Sequence, residues 1–415
     1  MTADHTRPIL EALDAATPAM IERTVAWSRI NSGSLELAGL DRMAGLIADA
    51  CAALPGETTR VPLAPSERVG ADGVVEPRAH TDAIRVRVRP DAPVQVALTG
   101  HYDTVFAASH PFQTPEHVDA DILRGPGVAD MKGGIIVMLE ALKALEATPD
   151  AKNLGYEVLL SPDEEIGSPA SAPLLAALGA RAHVGMTYEP ALPDGSLAGA
   201  RKGSGNYSLI IAGRAAHVGR AFDAGRSAVV AAADAVMRLD ALNGRREGVT
   251  INIGAVDGGA PVNMVPDGAV VRFNVRVPDA ASRAWIEAEI AKVVAAVGAR
   301  DGIYTHLHGG VTRGPKPMTP AQQRLFGWVR EAAADLGVDL KWHATGGVCE
   351  GNNLFAAGCP NIDTLGVRGA NLHSDQEYAL KSSFGERAKL SFLMLDRFAR
   401  GVWDARALRA AMADA

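Results

Sequence analysis

His101, Asp130, Glu165, Glu189 and His373 each stand in a short segment punctuated by glycine or proline, just beyond a hydrophobic run. Carboxylate oxygens and neutral imidazoles suit zinc, and the same mixed oxygen and nitrogen set admits manganese or cobalt. Five such groups serve two divalent ions if one carboxylate is shared. A bridged pair about 3.5 to 4 Å apart activates a water and polarises a carbonyl, so the expected chemistry is hydrolysis. Asp130 is the expected bridge, because Gly125-Pro126-Gly127-Val128-Ala129-Asp130 is a turn with little side-chain bulk, ahead of the helix opened by Lys132-Gly133-Gly134. An isolated Asp before a helix is ordinarily a cap; the neighbouring segments are what point to metal.

His101 and Asp103 lie two residues apart at a strand end, so both side chains point the same way. Asp103 can then take the second imidazole N–H and fix the tautomer. Glu164 and Glu165 are adjacent and need different jobs: Glu165 is assigned to metal, and Glu164 to proton transfer as base and then donor. Adjacent glutamates are usually surface charge, but Ser161-Pro162-Asp163-Glu164-Glu165-Ile166-Gly167 follows a run that reads as a buried strand. Other histidines are set aside. His306 and His308 alternate on one strand, a pattern more often of packing than of a third metal site, and His110, His117, His183 and His343 receive no role. Cys349 has no identifiable base beside it, so a thiol nucleophile is not expected.

The elements that must hold these residues read as α/β. Helical spacing covers 8–29 and 39–54, and 82–89 alternates strictly, as a half-exposed edge strand does. Runs at 94–99, 156–160 and 183–188 read as buried strands, with a helix at 133–146. Three proposed ligand segments therefore begin where a strand finishes, the usual place for a site in an open α/β sheet. From about residue 202 the order becomes β-α-β-β-α-β: strand 206–212, helix 225–242, strands 248–256 and 268–277, helix 280–297 and strand 303–308. That is the order of a ferredoxin-like sandwich. The expectation is a discontinuous catalytic domain, 1–202 and 313–415, with a mixed central sheet flanked by helices, interrupted by an α+β lid at 203–312. The glycine- and proline-rich segments 195–205 and 309–317 are the expected hinges.

The chain has 415 residues, enough for two or three domains. A net charge of −7, 5% aromatic residues and no basic block give no electrostatic footprint for nucleic acid, and favour a small-molecule or peptide substrate. Met1-Thr2-Ala3-Asp4-His5 opens without an apolar signal core, and no run reaches the roughly 18 apolar residues of a membrane span. A soluble, cytoplasmic protein is expected. Cys51, Cys349 and Cys359 are odd in number and lack metal-ligand spacing, so reduced thiols are expected.

The ordered motifs HYDTV, GPGVADMKGG, SPDEEIGS, TYEP, RAAHVGRAFDAGRSA, PVNMVP and NLHSDQEY resemble the M20 metallopeptidase family, especially its glutamate carboxypeptidase-like branch. The resemblance covers residues from about 20 to 400. It implies a dinuclear zinc amidohydrolase whose lid also makes a homodimer. By matching motif, His101, Asp130 and Glu189 would hold one metal, and Asp130, Glu165 and His373 the other, with Glu164 as base and Asp103 as support. The resemblance also implies that His217 reaches a neighbouring subunit's site as an oxyanion donor, and that Asn263 and Arg276 contact substrate, the latter as a carboxylate partner.

Two departures from the pattern stand out. Where relatives commonly carry Ser/Thr-Asp after a double glycine, this chain has Gly346-Gly347-Val348-Cys349-Glu350. Gly347 is retained as a substrate-site residue, and the longer Glu350 is expected to reshape the pocket wall or the contact to His373. Near the second hinge the family's Arg-Pro, which binds the substrate's α-carboxylate, is matched by Arg313-Gly314-Pro315-Lys316-Pro317, and either cation could serve. The function expected is hydrolysis of the amide joining an acyl or peptidyl group to an amino acid with a free carboxylate. The alternatives are an N-acyl amino acid deacylase, another C–N aminohydrolase, or a small-molecule binder that has lost catalysis.

Overall fold

A computed structural model describes residues 6–412. Its main sheet has six strands in the order Glu57–Val61, Ala83–Val88, Leu154–Ser161, Val94–His101, Val184–Thr187 and Asn361–Ile362. The last four run parallel. The first two are joined to them by antiparallel pairings. Leu154–Ser161 is buried along its whole length, which is why it reads as a near-continuous apolar run instead of an alternation. Helix Gly133–Glu146 packs against Arg7–Ser28 and Ser383–Ala399, completing the mixed α/β architecture.

Ala83–Val88 is not the edge strand its alternation suggests, because Glu57–Val61 pairs along its outer side. That outer strand is Glu-Thr-Thr-Arg-Val, too polar to stand out as a strand before its partner is known.

Helix Gly133–Glu146 starts on two glycines for a steric reason. A β-carbon on Gly134 would stand 2.1 Å from the carbonyl oxygen of Tyr188, and one on Gly133 2.4 Å from that of Val128. The helix thereby rests directly on the segment that carries Glu189. Gly134→Ala must force the two apart, and we expect it to cost about 1–3 kcal/mol, read as a lower denaturant midpoint at unchanged slope.

Residues 203–313 build a separate antiparallel sheet in the order Thr250–Gly258, Gly268–Val277, Gly203–Ala212 and Tyr304–Arg313. Helices Ala228–Asp240 and Ala280–Gly298 pack on it around an apolar cluster that includes Leu209, Ile211, Val271, Phe273 and Ile290. The intervening sheet positions carry Asn206, Ser208, Arg272 and Asn274. A hairpin of Ser66–Val69 and Val75–Arg78 reaches this polar side: Arg272 Nη2 donates to the carbonyls of Val69 at 3.0 Å and Gly70 at 2.8 Å, and His308 Nε2 lies 3.0 Å from Glu67 Oε2.

The segments read as hinges are largely paired strand. Leu197–Arg201 runs parallel to Trp342–Thr345, and Tyr304–Arg313 is continuous. Arg201 and Lys316 exchange backbone hydrogen bonds of 2.9 Å where the chain crosses into and out of the antiparallel sheet. The side-chain amide of Asn352 donates to both crossings, to Lys202 O at 3.0 Å and Gly314 O at 2.7 Å. No helix among the described residues is long and apolar enough to cross a membrane.

Candidate metal centre

The parallel strands deliver the site at their carboxyl ends, where backbone direction changes and side chains are free to converge. His101 closes Val94–His101, Glu164 and Glu165 follow Leu154–Ser161, and Glu189 follows Val184–Thr187. Asp130 comes from the turn ahead of Gly133–Glu146, and His373 from the loop between Gly369–Ala370 and Tyr378–Leu380.

These residues meet in one place. Asp130 turns one oxygen to each imidazole: Oδ1 lies 3.1 Å from His101 Nε2, and Oδ2 lies 3.4 Å from His373 Nε2. Glu189 Oε2 is 3.8 Å from His101 Nε2, and Glu165 Oε2 is 3.1 Å from His373 Nε2. His101, Asp130 and Glu165 each offer a ligand atom within 4.8 Å of the others, and so do His101, Glu164 and Glu189.

Asp103 is fully buried beneath the cluster. Its Oδ1 lies 3.2 Å from His101 Nδ1, leaving Nε2 to face Asp130 and Glu189. The same carboxylate accepts the backbone N–H groups of Glu164 and Glu165 at 3.1 Å each and the Ser34 hydroxyl at 2.7 Å, so one group positions a histidine and both glutamates.

The electrostatics fit divalent cations. Burial, reinforced by the charge of Asp130, pushes Glu165 up to about 8, and burial pushes Glu189 up to about 7. His373 is raised to about 11 by its contacts with Asp130 and then Glu165. Crowded buried carboxylates that retain protons are a donor set in which a cation replaces the proton. Glu189 Oε1, buried with no hydrogen-bond partner among the described residues, is a further unspent donor. The cluster borders a cleft of about 490 Å³ whose walls include Ala191, Leu192, Ala198, Val348 and Leu372.

The model of peptidase family M20/M25/M40 matches residues 97–397, a span that contains every proposed ligand. The chain belongs to this family. As an M20 peptidase it is a metal-dependent hydrolase of the amidohydrolase and carboxypeptidase kind. It is 28% identical over 303 residues to carboxypeptidase G2 of Pseudomonas sp. (strain RS-16), covering 70% of each chain. It is also 32% identical over 187 residues to an N-acetyl-L-citrulline deacetylase of Xanthomonas campestris pv. campestris, covering 42% of this chain and 48% of that one. In fold it is similar to a metallo-carboxypeptidase of the M20 family from Sulfolobus solfataricus, with a TM-score of 0.71 at 14% identity, over 92% of this chain and 99% of the other.

Among the other residues singled out in this M20 chain, Gly347 lines the cleft. Arg313 is buried and already engaged: Nη1 lies 2.7 Å from Glu164 Oε1, and Nη2 donates to Glu164 O at 3.0 Å and Ser168 Oγ at 2.6 Å. Lys316 is corrected as a substrate residue. It is fully buried, and its Nζ is held by Asp363 at 2.6 Å and Asn361 at 3.0 Å, so it presents no charge to the cleft. Arg276 is half-buried, donating from Nε to Asn274 Oδ1 at 2.9 Å and reaching Gly346 O at 3.5 Å. His217 and Asn263 lie outside the chain's own cleft lining, close together on an exposed ribbon where His217 pairs with Met264 and Asn263 O accepts Val218 N–H at 3.1 Å. Glu350 accepts the Ser161 hydroxyl in a buried pocket. Burial pushes the Cys349 thiol well above its ordinary range, an inert state, and its sulfur caps helix Glu350–Ala356.

Sequence reasoning missed Glu377. Its buried carboxylate accepts the backbone N–H groups of Gly127 at 3.1 Å, Ala129 at 3.0 Å and Asp130 at 3.1 Å, which sets the turn that carries Asp130. The only available signal was its position four residues after His373 in Asn371-Leu372-His373-Ser374-Asp375-Gln376-Glu377.

Proposed function

We propose that this M20 peptidase is a two-metal hydrolase that cleaves the amide between an acyl or peptidyl group and an amino acid with a free carboxylate. The observation that carries it is Asp130, one oxygen toward His101 and the other toward His373 in a single cleft. His101, Asp130 and Glu189 would hold one ion, and Asp130, Glu165 and His373 the other, with zinc expected. Two divalent ions bound there supply a polarised scissile carbonyl and a water that ionises near neutral pH.

The chain's own residues do the remaining work. Glu164 takes the proton of the attacking water and returns it to the leaving nitrogen. Arg313 holds the Glu164 carboxylate in one orientation, and Asp103 keeps the His101 proton on Nδ1. His217 cannot serve the cleft of its own chain from where it stands, which supports a homodimer in which the ribbon of a second copy brings its His217 as an oxyanion donor. Val262, fully exposed, with Phe222 at 64% and Met264 at 42%, gives that ribbon an apolar tip suited to burial against another subunit.

The similarity to an N-acetyl-L-citrulline deacetylase favours a second reading, N-acyl amino acid deacylation, through the same residues. A panel of N-acyl amino acids and dipeptides, assayed with zinc, manganese or cobalt supplied, tests both. Hydrolysis of at least one free-carboxylate substrate is expected. Metal-loaded protein inert toward the whole panel overturns the proposal.

A further inference from the structure

The cleft has two chemically unlike parts. Asp130, Glu165, Glu189 and His373 supply its polar part, and an apolar wall comes from the segment directly after Glu189, Pro190-Ala191-Leu192-Pro193, joined by Val348 and Leu372. Leu192 is 39% exposed and Leu372 38%. Large apolar side chains left open to water inside a concave site are stabilised when a ligand covers them, so they mark what the ligand brings.

Charge is scarce on this wall. Apart from Glu164 and the proposed ligands, the charged side chain in the lining is Arg201, and its Nε and Nη2 are already taken by Asp363 at 2.8 and 2.9 Å. Lys316 is sealed against the same Asp363, and Arg313 is committed to Glu164. A glutamate side chain laid against Leu192 and Leu372 would give up water and meet no cation of its own.

The wall is also preformed. Leu192 O accepts Gly195 N–H at 2.8 Å and Leu192 N–H donates to Ser196 O at 3.1 Å, closing the turn. From outside the turn, Arg368 Nε donates to Pro193 O at 2.9 Å and Arg387 Nη2 to Gly195 O at 2.8 Å. These bonds all use main-chain groups, so the leucine side chain stays free for a ligand, and little ordering is left to be done on binding.

We infer that this wall is a subsite for a bulky apolar group, and that the preferred substrates carry an alkyl or aryl group beside the scissile amide in place of a second carboxylate. The inference rests on the hydrolase reading above and deepens it by naming the substrate class. The apolar group can be the side chain of the released amino acid or the acyl chain, and the same wall recognises either.

Binding is measured by calorimetry on zinc-loaded Glu164→Gln protein, in which turnover is suppressed. One arm compares N-acetyl-L-leucine with N-acetyl-L-glutamate, the other N-octanoylglycine with N-succinylglycine. The apolar member is expected to bind at least tenfold more tightly in at least one arm, and the arm that shows it identifies which side of the amide the wall takes. Adding Leu192→Gln is expected to weaken that apolar probe at least threefold without strengthening its acidic counterpart. Adding Leu192→Lys is expected to weaken the apolar probe and tighten the acidic one. Both changes are at a position open to solvent, and zinc content with melting temperature reports that the protein is intact. Equal or tighter binding of the acidic member in both arms, no binding of any probe, or a preference unmoved by either variant overturns the inference. Hydrolysis by the unmodified protein is read separately. Turnover without apolar preference sinks this assignment and spares the hydrolase reading; apolar-selective binding without turnover on any substrate does the reverse.

Discussion

Glu164→Gln retains both cations and loses about 10²- to 10⁴-fold in kcat, the range a positioned base contributes. The substitution is nearly isosteric. The amide oxygen can still accept from Arg313 Nη1, now 2.7 Å from Glu164 Oε1, and the backbone N–H still reaches Asp103. What disappears is the ability to take a proton from water and pass it to the leaving nitrogen, so KM should move little. Metal content decides between two roles, because Glu164 also offers an oxygen within 4.8 Å of the ligand atoms of His101 and Glu189. Lost activity with metal retained identifies a base. Lost metal would make Glu164 a ligand, and retained activity would move the base elsewhere.

Chelation is the second large effect. Removing divalent ions should abolish turnover, and zinc, manganese or cobalt should restore it, because no cation side chain in the cluster substitutes for them. His101 and His373 each already face Asp130, and Arg313 is engaged with Glu164 and Ser168. Stability gives an independent readout. Stripped of cations, Glu165 and Glu189 crowd Asp130 in one buried pocket and are pushed toward holding protons, while His101 and His373 hold the Asp130 carboxyl below its usual range, so the melting temperature should fall on chelation and recover on reloading. A chelated protein with full turnover would remove metals from the mechanism.

Much of this was readable along the chain. The five proposed ligand residues stand out because each lies at a break following an apolar strand or turn, and those breaks are local. Helix Gly133–Glu146 and strand Gly268–Val277 have the bounds that periodicity predicts, since their patterns are strong and unopposed. What could not be read depends on partners distant in the chain. Lys316 looked available beside two prolines, yet Asp363, 47 residues away, buries it. Glu377 works through backbone groups about 250 residues earlier, and a carboxylate that accepts main-chain N–H groups leaves no motif of its own. Glu57–Val61 escaped because its composition reads as loop, and it becomes a strand only beside Ala83–Val88.

Asn352 gives the molecule one further property. Its single amide grips Lys202 O and Gly314 O, so the two covalent crossings are pinned at a common point. The contacts of Arg272 with Val69 and Gly70 and of Arg313 with Glu164 and Ser168 tie the antiparallel sheet to the rest of the chain at further points. Losing the Asn352 carboxamide would leave the Lys202 and Gly314 carbonyls without it together, so both strands would loosen at once where the chain passes between the two sheets.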